Sequence, residues 1–362
     1  MLDREYVRKL LSKIPGLLYL NKKSKDFSYV NPIFEFLLKN EKNILLNPKL
    51  KPEDITYNNS IFHFLLYYTY YPKDPFIFLT NENLIFGAFK DRKYKQIEFS
   101  FLLTKNISRG LNQLNTLLST PEFNSVVKKY NTKQILIRDI DDSFVNKLKK
   151  SNNGYLFRLE SLKELNYAIY DTNNTLDLDG GEFSNLRWHL NNFKKNDFKV
   201  EEVPLADAIK PVIHLIGKWR KKASENRGFS YINVRSDKLG ARLFGDIEKY
   251  FVSEDLNGLV GPENILSKVL KVNGEVAAFN LGFPLGIYKK QKVFAHAIGI
   301  SDLSISHLAE YAQYDFWKQV KKKGYNYIND GPTWKKDLET YKNKFRPTQK
   351  KRYYWATLSL KI

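Results

Sequence analysis

Along this chain, stretches whose apolar residues recur every three or four positions alternate with short β-rich runs bounded by polar breaks, so helices and strands interleave throughout. Helical spacing predicts helices over 6–11, 31–39 and 60–70. The runs Pro75–Thr80, Asn83–Phe89 and Gln96–Leu103 then predict a meander of strands. Helices over 111–118 and 122–130 and a strand over 134–138 follow, and two strands, 155–159 and 166–170, lead into the turn-rich segment 171–175. The second half has helices over 186–194, 206–225 and 239–251, then strands over 265–272 and 275–283. Asn273-Gly274 between those two apolar runs marks a hairpin, because both residues tolerate the positive φ that a tight turn demands. A strand over 292–300, an amphipathic helix over 306–323, a strand over 325–330 and a terminal helix around Leu338 to Arg346 complete the pattern. The fold class expected is α/β (α+β), with mixed, largely antiparallel sheets flanked by helices.

A chain of 362 residues reaches the size at which a single hydrophobic core stops growing, which predicts two units. The change of pattern near Tyr155 to Asp171 divides them as 1–160 and 161–362. No Pro- or Ser-rich linker separates them, so close packing of the units is expected. With 43% hydrophobic and 15% aromatic residues, the chain has enough apolar surface to fill two cores.

Charge narrows the partners. Lys and Arg number 59 against 39 Asp and Glu, a net +20 that attracts phosphate-bearing molecules: transfer RNA, anionic lipid headgroups or coenzyme A. Ordinary solvation of a lysine-rich surface explains the same excess. Cysteine is absent, which excludes disulfides, thiolate metal sites and a cysteine nucleophile. The five histidines show no metal-binding spacing, and no metal is expected. The longest apolar stretch, Ile61 to Tyr71, is too short for a membrane helix, and the charged start does not read as a signal peptide. A cytoplasmic protein is expected, with the positive charge also suiting a peripheral place at an anionic membrane.

Two segments, Leu176 to Phe193 and Tyr327 to Pro347, resemble the C-terminal domain family of phosphatidylglycerol lysyltransferases. The first carries leucines, Gly180-Gly181 and a basic helix ending Asn191-Asn192-Phe193. In the second, Asn329-Asp330-Gly331 ends a strand and is followed by Leu338, Tyr341, Lys342 and Lys344-Phe345-Arg346-Pro347. The similarity covers about 160–355. The resemblance implies tandem N-acetyltransferase-like (GNAT) domains, related to Fem-type transferases, that take an aminoacyl group from aminoacyl-tRNA and pass it to an acceptor. The multispan membrane region of the full-length lipid enzymes does not occur in this sequence.

Under that resemblance no cofactor is required, since aminoacyl-tRNA is the donor; acyl-CoA is the alternative donor, and a non-catalytic RNA- or membrane-binding protein is a third reading. An acetyl-CoA enzyme needs a glycine-rich loop whose N–H groups hold pyrophosphate at a helix start. Ser301 to Ala309 has no glycine there, and Ser304 and Ser306 read as helix caps. The catalytic candidates are the cations Lys342, Lys344 and Arg346, able to stabilise a carbonyl oxyanion, and Asp330 at a strand end. Each also fits a plain role, a solvated helix face or a cap. Arg187 and Asn191, one helical turn apart, could share a phosphate or carboxylate. Asn329, Lys218 and Trp219 complete the substrate-binding set, the latter two within the basic run Lys218 to Lys222 that suits an RNA backbone. Glu275 reads as a turn residue and His296 as a satisfied core histidine.

Overall fold

A computed structural model describes residues 4–15, 17–19, 74–79, 84–89, 95–101, 107–150, 154–196, 198–227, 266–288, 291–333 and 336–361. The helices expected over 31–39, 60–70 and 239–251 lie outside the described residues. The chain divides into two compact units, with boundaries between Asn166 and Tyr167 and between Lys351 and Arg352. Both boundaries fall inside strands, so the segment from Arg352 onward belongs to the first unit. The sequence reading had placed all of 161–362 in the second.

In the first unit, strands β1 (Leu17–Tyr19), β2 (Asp74–Leu79), β3 (Leu84–Phe89) and β4 (Gln96–Phe101) form an antiparallel meander. Strand β5 (Gln134–Ile140) joins β4 in parallel, and β12 (Gln349–Leu360) pairs antiparallel with β5. Helices α1 (Arg4–Leu11), α2 (Ile107–Ser119), α3 (Pro121–Lys129) and α4 (Asp142–Lys150) accompany this sheet. Phe76, Phe89, Phe99 and Phe123 are buried in mutual ring contact, each such side chain contributing roughly 1.5–3 kcal/mol by leaving water. Gly87 is required beside them, because a Cβ there would overlap the Phe76 ring.

The second unit has the strand order β6 (Phe157–Asp171), β11 (Tyr327–Thr333), β10 (Gln291–Ser301), β9 (Glu275–Tyr288), β8 (Leu266–Val272) and β7 (Val200–Val203). Strands β7 to β10 are antiparallel neighbours, whereas β10 and β11 run parallel. Parallel pairing needs a crossover, and α8 (Leu308–Lys322) supplies it. Helices α5 (Thr172–Asp177), α6 (Ser184–Lys195), α7 (Leu205–Arg227) and α9 (Lys336–Asn343) complete the unit. Trp317 and Phe316 of α8 are fully buried with Tyr170, Phe294 and Phe345.

Three local expectations change. The two strands over 155–159 and 166–170 are one strand, β6, because no Gly or Pro between them interrupts extended backbone. The turn-rich segment after it is helix α5, whose start is capped by Asp171: its Oδ1 accepts from the Asn173 and Asn174 N–H groups at 2.9 and 3.4 Å. The Ser304 hydroxyl does not cap α8. It donates to Asp302 Oδ1 at 2.6 Å, and the residue at the N-cap is His307.

Candidate functional site

The cations and carboxylates singled out from the sequence lie mainly in the second unit and fall into two groups. One is interior. Lys342, on α9, is buried and donates to the carbonyls of Asp330, Gly331 (3.0 Å) and Pro332 (3.5 Å), with its Nζ 3.6 Å from Asp330 Oδ2. Burial lowers the Lys342 ammonium from its ordinary value, and Asp330 opposes that shift. Asp330 Oδ1 lies 2.9 Å from His296 Nδ1, a close contact of carboxylate and ring that is out of line for a hydrogen bond. On the far side of the ring, Nε2 is 3.0 Å from Asn280 Oδ1, and Asn280 Nδ2 donates to the Ala312 carbonyl at 3.3 Å. That second bond fixes the amide, so His296 Nε2 carries the hydrogen toward Asn280. Tyr170, raised well above the usual phenol value by burial and by Asp330, donates to the Lys342 carbonyl at 3.0 Å. Asn329, fully buried, accepts from the Gly331 N–H at 3.0 Å.

This chain of bonds ties β11, β10, β9, α8 and α9 together. Asp330 retains 9% side-chain exposure and Lys342 6%, so both are positioned as interior braces. The sequence reading of Lys342 as a cation on a terminal helix misses this, because α9 turns that residue inward against β11.

The second group surrounds the start of α8. His307, at the N-cap, is held in the left-handed region at φ 65. His189, on α6, meets it with the two Nδ1 atoms 2.8 Å apart. Glu310, buried in the first turn of α8, has Oε1 at 3.7 Å from His189 Nδ1 and 2.6 Å from the Lys344 ammonium. Lys344 follows α9 in the turn Lys344-Phe345, where the fully buried Phe345 anchors the segment and leaves the lysine free to reach α8. Burial pushes the Glu310 carboxyl up. The hydrogen bond from Lys344, a backbone N–H and the charges of Lys344 and His189 outweigh burial, and the net shift is downward. Burial lowers the His189 imidazole, Glu310 pulls it up, and Lys344 and His307 lower it further; the net shift is down. Trp188, 56% exposed, stands edge-on to both imidazoles at 4.9 and 5.0 Å. Glu310 and Trp188 were not singled out from the sequence; a carboxylate three residues past a helix start reads there as an ordinary first-turn acid.

The remaining candidates are distributed around these groups. Arg187 and Arg346 both hold the loop before α6: Arg187 Nη1 donates to the carbonyls of Leu178 and Gly180 (2.8 Å), and Arg346 Nε to that of Glu182 (2.9 Å). Asn191 is exposed on α6. Lys218, exposed on α7, pairs with Asp302 at 2.7 Å, and Trp219 beside it is half-buried. Among the described residues, no group of three or more His, Asp or Glu is placed to hold a metal ion, and no helix is long and apolar enough to cross a membrane.

No protein-family model and no curated protein matches this sequence. Solved structures do. A conserved protein of unknown function from Bacteroides thetaiotaomicron VPI-5482 matches with a TM-score of 0.63 and 15% identity, covering 90% of this chain and 97% of that one. The C-terminal domain (DUF2156) of a putative lysylphosphatidylglycerol synthetase from Agrobacterium fabrum matches with a TM-score of 0.52 and 11% identity, over 91% and 92% of the two chains. This chain has the fold of that synthetase domain. A tandem GNAT protein from the clavulanic acid biosynthesis pathway is a more distant neighbour, at a TM-score of 0.47 and 8% identity, over 79% and 82%. The likeness to the synthetase domain agrees with the resemblance carried by Leu176 to Phe193 and Tyr327 to Pro347. In this structure those segments supply α6 with its preceding loop, and β11, α9 and the Lys344 turn. The α/β class expected from the sequence, helices on mixed sheets, is the one observed.

Proposed function

We propose that this chain is an aminoacyltransferase that takes its aminoacyl group from aminoacyl-tRNA and passes it to a hydroxyl or amine of a lipid, peptide or small molecule. The observation that carries this reading is the start of α8. Coenzyme A chemistry on a GNAT-like fold calls for free backbone N–H groups at that helix start, where a pyrophosphate can bind. Here the position is taken by left-handed His307 and by the buried side chain of Glu310, paired with Lys344. The fold shared with a putative lysylphosphatidylglycerol synthetase domain and the net charge of +20 support an aminoacyl donor borne on RNA.

The chemistry asks little of acid or base strength, because the donor ester is already activated. Alignment supplies roughly 7–11 kcal/mol and one oxyanion donor about 3–4 kcal/mol. Of the four catalytic candidates, Lys344 is the one assigned the oxyanion: it is half-buried and reaches the helix start, whereas Lys342 and Asp330 brace the interior and Arg346 holds a loop. The test is to incubate the purified chain with tRNA charged with labelled amino acids and with an extract of acceptors. Label should move to the extract, and ribonuclease should abolish the transfer. Transfer from labelled acetyl-CoA that survives ribonuclease overturns the reading.

A further inference from the structure

The contact between His189 and His307 restricts where their hydrogens are. Two Nδ1 atoms 2.8 Å apart are stable only if one carries the hydrogen and the other presents its lone pair. With both rings neutral, the tautomers are therefore opposite. The ring with Nδ1–H has a bare Nε2, and its partner has Nε2–H. Among the described residues, neither Nε2 has a hydrogen-bond partner. The pair thus offers one acceptor and one donor outward, linked through a single inner hydrogen.

Two further observations mark the pair. His307 is held at φ 65, in the left-handed region that a residue with a Cβ seldom adopts, and its side chain makes no helix cap in return. Strain of this kind gathers at functional sites. The charged groups facing His189 are Glu310 and Lys344, with His307 as its titratable neighbour, and the net effect of burial and these charges holds the His189 imidazole below its ordinary value, which favours the neutral ring.

We propose that the His189–His307 dyad is the proton relay of the transfer reaction, a role that rests on the aminoacyl-transfer reading. As the acceptor oxygen or nitrogen bonds to the ester carbonyl carbon, its hydrogen passes to the bare Nε2. The inner hydrogen crosses from one Nδ1 to the other. The opposite Nε2–H is delivered to the ribose oxygen as the ester C–O bond breaks. Hydrogens balance, no ion is left on either ring, and the two tautomers have exchanged. Lys344 meanwhile faces the oxyanion, so acid, base and oxyanion donor converge on one helix start.

The experiment has a part that needs no substrate. In the full chain labelled with ¹⁵N-histidine, a long-range ¹H–¹⁵N spectrum at pH 7.5 should show His189 and His307 in opposite neutral tautomers. His189→Gln should release His307 into a mixture of tautomers. Both rings in the same tautomer overturn the relay. In the charged-tRNA assay, His189→Gln and His307→Asn, the latter chosen because asparagine tolerates left-handed backbone, should each lower transfer by about 10²- to 10⁴-fold. tRNA retention on a filter should be unchanged. Wild-type transfer should fall on acidification below about 6.5, the ordinary value from which His189 is lowered, because a second bound hydrogen leaves no Nε2 to accept. Full transfer by both variants overturns the relay while the aminoacyl reading stands. A wild-type chain that leaves every charged tRNA intact overturns that reading and the relay's role in it, and the spectrum still reports the dyad.

Discussion

A lysine 2.6 Å from a buried carboxylate neutralises that carboxylate in the resting protein, and its charge also acts on His189 of the histidine pair. Lys344→Ala should therefore do two things. Transfer should fall by about 10²- to 10³-fold, the effect of one lost oxyanion donor. Stability should fall by about 1–3 kcal/mol, since Glu310 is left buried without its partner. From the sequence, Lys344 reads as an exposed lysine whose loss leaves stability unchanged; the pairing with Glu310 reverses that expectation. Adding Glu310→Gln should restore the melting temperature but not the transfer, which separates the two roles in one pair of measurements. Lys342 differs in kind. Lys342→Met keeps the volume but leaves Asp330 and three carbonyls of β11 without their donor, so a loss of about 3–5 kcal/mol is expected in denaturant unfolding.

At the scale of elements, chemistry local to a few residues is what the sequence discloses. Asn273-Gly274 makes the β8–β9 hairpin, with φ of 54 and 85 at the two positions. A Cβ on Gly274 would meet no atom within 4 Å, so Gly274→Ala tests backbone strain alone, and about 1 kcal/mol should be lost in thermal melts. The long helix expected over 306–323 is α8, over Leu308–Lys322, because its apolar stripe is regular. Strand β12 was not legible, since Gln349-Lys350-Lys351-Arg352 opens it with charge and the buried Tyr353, Ala356 and Leu358 break the period of two, with a register shift between Tyr354 and Ala356. The candidate site was legible residue by residue but not as a site. His189 and His307 are 118 positions apart, and their pairing follows from how α6 packs on α8, which neither segment encodes by itself. The inward turn of Lys342 is likewise set by α9 lying against β11.

For the whole molecule, acid should act through a few identifiable groups. His189 is lowered in the folded chain, so the folded state binds fewer hydrogens there than the unfolded one, and stability declines as pH drops below about 6.5. Burial raises the Asp302 carboxyl, but hydrogen bonds from Lys218 and Ser304 bring it to about 2, and Glu310 is lowered from 4.5 as well. Groups lowered in this way stabilise the fold above their ordinary values, and that contribution fades as pH falls through the folded ones. Melting temperatures measured from pH 7 to pH 2 should thus show an early decline and a steeper one below about 4.5, and Lys344→Ala should weaken the second. The division of the chain has a further consequence, which concerns the order in which the protein is made. Strand β5 finds its antiparallel partner in β12, at pairs such as Ile135 with Leu358, more than half the chain later. The first unit emerges early from the ribosome yet must wait with the β5 edge unsatisfied until nearly all of the second has been synthesised. Such an edge invites pairing with other chains. A chain stopped before Arg352 should therefore aggregate on expression, and a peptide spanning 349–360, supplied during refolding, should rescue it.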